Sequence, residues 1–169
     1  MHVESNLLRI FLYNVKEAYR SAVLLLRSYP RVGMVAAQKT DFISGLSIDD
    51  LDKLDAFRVR FCDLQDALGN KVFRSLLMLE LEVFGSNLDI LNKIEKRGLV
   101  PSFDEWQEIR NVRNLFVHDY PETEEARAQI LSRPYNLTPS LIDVLNRVLK
   151  YAAGTIKIDL KEFPILTIE

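Results

Sequence analysis

Residues 110–120 crowd Arg110, Asn111, Arg113, Asn114, His118 and Tyr120 into eleven positions. Arginine offers a rigid fork of donors that matches a phosphate. Histidine is the side chain whose ordinary pKa lets it both take and give a proton near neutral pH. Together they suit phosphodiester cleavage with a ribose 2′-hydroxyl as nucleophile. The imidazole moves protons, and the guanidinium neutralises charge building on the phosphate. No metal ion or other cofactor enters this chemistry. His2 and His118 are the only histidines and Cys62 is the only cysteine. That leaves too few soft ligands for a cysteine or histidine metal cage, and it excludes an internal disulfide.

The elements that carry these residues read as helices. Leu7, Ile10, Phe11, Val15, Ala18 and Ala22 recur at three- and four-residue steps, which predicts a helix over 6–28 ahead of Pro30. Residues 30–46, with Gly33 and Gly45, read as a connection holding at most a short helix. Ser47 reads as an N-cap. Leu51, Leu54, Phe57, Phe61, Leu64 and Leu68 form one apolar stripe behind it. Gly69-Asn70 is read as a break. A further helix runs over 71–97, with a kink at Gly85-Ser86 and Gly98 as its C-terminal cap. Ser102-Phe103-Asp104-Glu105 is a capping box that opens a helix ending near His118, before Pro121. Two more helices are expected over 122–131 and 139–153, the second capped by Thr138. Residues 155–169 read as a short strand or an extended tail. The expectation is an all-α bundle of five or six helices in one domain, 1–155, with a tail over 156–169.

Composition narrows the class. The chain has 169 residues, 48% of them hydrophobic and 27% charged, which fits one folded domain. Apolar runs are far too short for a membrane span of about 20 residues. No basic leader followed by an apolar block opens the sequence, and a reducing cytoplasm is the expected location. The net charge is −2, yet residues 1–46 hold six Lys/Arg against three Asp/Glu. That is not the composition of a protein that coats nucleic acid non-specifically; a local basic site is compatible with it.

Arg113-Asn114-Leu115-Phe116-Val117-His118 matches the Arg-x4-His signature of HEPN domains. With Tyr120 it becomes Arg-x4-His-x-Tyr, and the chain resembles HepT-like toxins of the HEPN/nucleotidyltransferase toxin–antitoxin pairs. The likeness extends to residues 91–98 and 60–66, covers about residues 50–155, and is least clear over 1–46. It implies a dimeric helical bundle with two Arg/His motifs in one cleft, and a metal-independent ribonuclease. The implied partners are RNA, a second copy of the chain and a nucleotidyltransferase antitoxin. That antitoxin would transfer AMP onto Tyr120. Arg113 and His118 would be catalytic, with Asn114, Arg110 and Asp66 in support. Some HEPN proteins instead act as non-catalytic, nucleotide-binding partners of a nucleotidyltransferase, and the resemblance admits that reading too.

Each residue also has a plainer reading. His118 suits the negative end of a helix. Arg113 is solvated or pairs with an acid such as Glu105, Glu108 or Asp119. Asp63 and Asp66, which would orient an arginine of the site, are otherwise ordinary charged residues of a helix surface. Tyr120 packs at the bundle edge, Cys62 is an inert packing residue, and Trp106 anchors its helix to the core rather than stacking on a base. Geometry adds a constraint. Positions five apart on an α-helix are separated by about 140°, so Arg113 and His118 do not share a face of a straight helix. A long arginine side chain, a helix loosened before Pro121, or a second chain would reconcile them. The second chain predicts a two-fold dimer.

Overall fold

A computed structural model describes residues 2–36, 47–118 and 124–168. Among these residues every regular element is helical, and five rods form an all-α bundle. Helix α1 spans His2–Ala36. Helix α2, Ile48–Asp66, continues through a π-helical segment, Ala67–Val72, into α3, Phe73–Leu79. Helix α4 is Asn87–Lys96, α5 is Phe103–His118, and α6 is Glu124–Tyr151, which ends in a second π segment, Ala152–Ile156. No helix among the described residues is long and apolar enough to cross a membrane.

Three boundaries follow local chemistry. The Ser47 hydroxyl accepts from the Asp50 N–H at 3.1 Å and starts α2. The Ser102 hydroxyl accepts from the Glu105 N–H at 3.1 Å. Glu95, rather than Glu105, takes a further free donor of that turn, the Phe103 N–H at 2.7 Å. Gly98 ends α4 with a φ of +68°, where a side chain would be strained.

Tertiary packing overrides four expectations. Pro30 lies inside α1 instead of ending it. Beyond it Val32 is buried, and Tyr29 stacks on Tyr135 of α6 with centroids 4.3 Å apart. From α2, Arg60 donates to the Leu24 carbonyl and the Ser28 hydroxyl beside that turn. These contacts hold a helix that an interior proline would otherwise weaken by about 3 kcal/mol. Gly69-Asn70 is likewise not a break. Leu64, Leu68, Val72 and Leu76 are all fully buried at successive four-residue steps. Such steps overshoot the 3.6-residue turn. The wider i→i+5 turn absorbs the drift, with the Phe73 N–H bonded to the Leu68 carbonyl.

The helix expected over 71–97 is two helices, not one kinked helix. Leu81 turns left-handed at φ 58°, while Glu80 and Glu82 turn to Arg97 at 2.8 and 2.6 Å. Ser86 then caps α4 afresh, accepting from the Asp89 N–H. The two helices expected over 122–131 and 139–153 are one, α6, with Pro134 and Pro139 inside it. Thr138 does not cap. Its hydroxyl donates back to the Pro134 carbonyl at 2.7 Å, four residues earlier in the same helix. Residues 157–168 form no strand. They lie along the bundle with one turn, the Phe163 N–H bonded to the Leu160 carbonyl at 2.9 Å, and both of those residues are buried. The Asn146 amide brackets Leu166, donating to its carbonyl at 2.8 Å and accepting from its N–H at 3.0 Å. The Tyr19 hydroxyl donates to the Pro164 carbonyl at 2.9 Å.

Two aromatic contacts fix α5 against the α2–α3 rod. Phe116 meets Phe61 edge-on at 6.4 Å, and Trp106 tilts against Phe73 at 4.9 Å. Trp106, Ile109, Val112 and Phe116 form the buried face of α5. That register decides which side chains of the motif meet α2 and which meet solvent.

Candidate functional site

Arg113 stands on the α2 side of α5. Its Nη2 and Nε reach the same carboxylate oxygen of Asp66, at 2.8 and 3.2 Å. Its Nη1 donates to the Asn114 Oδ1 at 3.3 Å. Arg113 is 24% exposed and Asp66 36% exposed, so the pair is partly open to solvent. The other Asp66 oxygen accepts from the Asn70 side-chain amide at 3.2 Å. Asp66 thus ties the π segment to the arginine of α5, while Glu105 and Glu108 do not contact Arg113. Glu108 pairs instead with Arg133, at 3.8 Å.

His118 closes α5, exposed at its C-terminal end. It lines a shallow depression with Asn111, Asn114 and Leu115. The helix is regular through His118, so the expected angular separation from Arg113 persists. The two chemical groups lie on different sides of one chain. Asn114 is the residue that joins them, touching Arg113 and lining the histidine's depression. Arg110 is placed elsewhere, exposed at the rim of a separate pocket that Trp106 also lines. Tyr120, Asp119 and Pro121 lie outside the described residues.

Cys62 is half-buried near this arginine. Burial pushes its thiol up to about 11, against a smaller downward pull from Arg113 and an upward push from Asp66. Asp63, next to it in sequence, is also raised, by burial and then by the Asp66 charge. Arg58 is a residue the motif reading did not find. From α2 its Nη1 donates to the Phe116 carbonyl at 3.3 Å, a positive charge at the negative end of α5. No spacing in the sequence marks it, because it reaches α5 only through the packing of two helices. Gln65, Gln107 and Asn111 were likewise given no role by the motif. Among the described residues, no three His, Cys, Asp or Glu side chains cluster in a way that could hold a metal ion.

Comparison of the chain with protein-family models, with curated proteins and with solved structures finds no match.

Proposed function

We propose that the protein is a HEPN-type ribonuclease, resembling HepT-like toxins, that works as a two-fold dimer under a nucleotidyltransferase partner. The observation that carries this reading is the Asp66–Arg113–Asn114 chain, which holds an arginine fork beside the asparagine that flanks His118.

The 2′-hydroxyl oxygen attacks the adjacent phosphorus. A P–O2′ bond forms and the P–O5′ bond breaks. Imidazole takes the 2′ proton, and imidazolium gives one to the departing 5′ oxygen. Arg113 carries the charge that builds on the phosphoryl oxygens. Arg113 and His118 face different sides of one α5, so a second chain supplies the complementary group. In the dimer two imidazoles are present, one as base and one as acid. This scheme draws nothing from a metal. AMP attached to Tyr120 would place a competing phosphate near Arg113 and silence the site.

The test is cleavage of single-stranded RNA by the full chain after exhaustive EDTA treatment. The expected products carry a 2′,3′-cyclic phosphate and a 5′-hydroxyl. His118→Ala loses at least about a hundredfold in rate, the scale of a removed acid–base group. Activity that disappears with EDTA, or that survives in His118→Ala, overturns the assignment. A folded protein with no cleavage leaves the non-catalytic nucleotide-binding reading in its place.

A further inference from the structure

Between the π segment, α4 and the start of α5 lies a pocket with room for about 110 Å³ that opens to solvent. Its floor is apolar, with Phe73, Ile90 and Trp106 all at most 4% exposed. Of the polar side chains that line it, Gln65 is the buried one, 5% exposed, and it makes no hydrogen bond with another described residue. Its amide nitrogen and oxygen are not sealed from solvent, so they meet whatever enters the pocket. Exposed Arg110 stands at the rim and forms no salt bridge among the described residues.

The pocket is built rather than left over. The π turn of Ala67–Val72 widens the rod at this point. Gly69 keeps it open, since a Cβ there would sit 3.2 Å from Trp106 Cζ2 and 3.3 Å from Gln65 Nε2. The same turn carries Asn70, which lines the pocket and donates to Asp66, the carboxylate that holds Arg113. Gln107, also at the pocket, begins a stripe. Gln107, Asn111, Asn114 and His118 follow at steps of four, three and four residues, which places them within about 60° of one another on α5. The stripe leads from the pocket to the histidine over about 16 Å of helix.

We infer that this pocket is an adenine-binding subsite, Gln65 pairing the base edge and Arg110 meeting a phosphate at the mouth. A glutamine amide presents one donor and one acceptor side by side, which match adenine's N6 donor and adjacent ring-nitrogen acceptor. An apolar floor beside an aromatic ring receives the planar faces. The volume is below that of a cavity that takes one benzene ring, so only the pairing edge of the base enters this open pocket, and the rest of the rings, the sugar and the phosphate lie at the mouth, where Arg110 is. The inference deepens the ribonuclease reading and, for RNA, rests on it. The base it specifies lies some way along the strand from the scissile phosphate, given the length of the stripe.

Trp106 is the only tryptophan and lines this pocket, so its fluorescence reports on the pocket in a protein whose fold is unchanged. AMP, GMP, CMP and UMP are titrated separately into the full chain, with no cleavage involved. AMP is expected to give a saturable change with half-saturation near or below about 1 mM. It should bind at least about fivefold better than the other three, the low end for one bidentate amide–base pair. Gln65→Leu removes the amide without stranding a partner, so it should fold, and AMP should lose its advantage. Gly69→Ala, checked by circular dichroism, should weaken all four nucleotides. Equal responses to the four nucleotides, no saturable response, or an unchanged AMP preference in Gln65→Leu overturns the inference. The ribonuclease reading fails or stands separately. AMP binding in a protein that cleaves no RNA supports the subsite and sinks the nuclease. Cleavage without AMP binding leaves the nuclease and sinks the subsite.

Discussion

Removing Arg113 and removing its carboxylate partner should separate chemistry from scaffolding. In a purely structural pair the two deletions are equivalent, because each breaks the same 2.8 Å contact. With 24% and 36% exposure the survivor stays hydrated in either variant. The pair should therefore contribute no more than about 1 kcal/mol, as solvent-screened pairs do. Arg113→Ala and Asp66→Ala should each lower the midpoint of thermal unfolding by about 2–4 °C for that 1 kcal/mol. A domain stable by about 5–15 kcal/mol remains almost wholly folded after such a loss, so unfolding cannot account for lost activity. The rates should diverge. Arg113→Ala should fall at least about a hundredfold, because a charge stabiliser of the transition state is gone. Asp66→Ala should fall only about tenfold, because Asn114 still holds one arm of the fork and the positive charge remains. The double variant should match Arg113→Ala within about twofold, since Asp66 acts through the arginine alone. The assay is single-turnover RNA cleavage alongside thermal unfolding of all four proteins. Equal rate losses for the two single variants, or more than a tenth of the activity left in Arg113→Ala, would refute the phosphate role.

Burial holds the Cys62 thiol near 11 against an ordinary 9.0, so at pH 8 its alkylation by iodoacetamide should run about a hundredfold slower than that of an exposed thiol; labelling at the exposed rate would contradict the packing. The same shift gives a sign for stability. The folded state retains the proton more tightly, so the contribution is full below pH 9 and is lost as pH rises through about 11. Cys62→Ser should flatten that loss in alkaline denaturation curves. Asp63 is raised by burial and by Asp66, so its charged form opposes folding above its folded pKa. Asp63→Asn should raise the unfolding midpoint at pH 7 and leave it unchanged near pH 3, and a lowered midpoint at pH 7 would reverse the sign. Tyr120→Phe should stay toxic and escape the nucleotidyltransferase, with intact-mass spectrometry showing added AMP on wild type only; protection that persists in the variant would argue for inhibition by binding. Light scattering at micromolar concentration should show a dimer, and a monomer would leave Arg113 and His118 on separate sides.

Helix starts and stops were readable wherever one side chain settles the matter. Ser47, Ser102 and Gly98 act within a turn of themselves, and each does what its chemistry predicts. Pro30 and Pro139 read as boundaries because local preference opposes them inside a helix, and at Pro30 a distant contact, Tyr29 on Tyr135, outvotes it. The π segment left a trace that was legible in principle: three consecutive four-residue steps from Leu64 to Leu76 do not fit an unbroken α-helix. The angular separation of Arg113 and His118 follows from counting, and the regular α5 keeps it. Asp66 was one of two acids on α2 that spacing put forward, and only packing distinguishes it from Asp63. Gln65 was invisible, because a glutamine beside an apolar stripe looks like surface until its neighbours close over it.

The widened turn at Ala67–Val72 also bears on how the gene can change. A deletion of one codon there would open no gap in the rod. It would let the ladder close as ordinary α-helix, turning α3 by about 100° and drawing it about 1.5 Å nearer α2. Phe73, Leu76 and Leu77, all buried now, would swing off the core face. Such a deletion is tolerated only if those positions change with it, so the extra residue is locked in by the residues that follow. A homologue lacking the pocket should therefore align with a single-residue gap in the middle of a helix, where gaps are seldom sought, rather than in the loop at 80–86. Loss of one codon at that place would be the simplest sign that the pocket, and whatever it holds, had been given up.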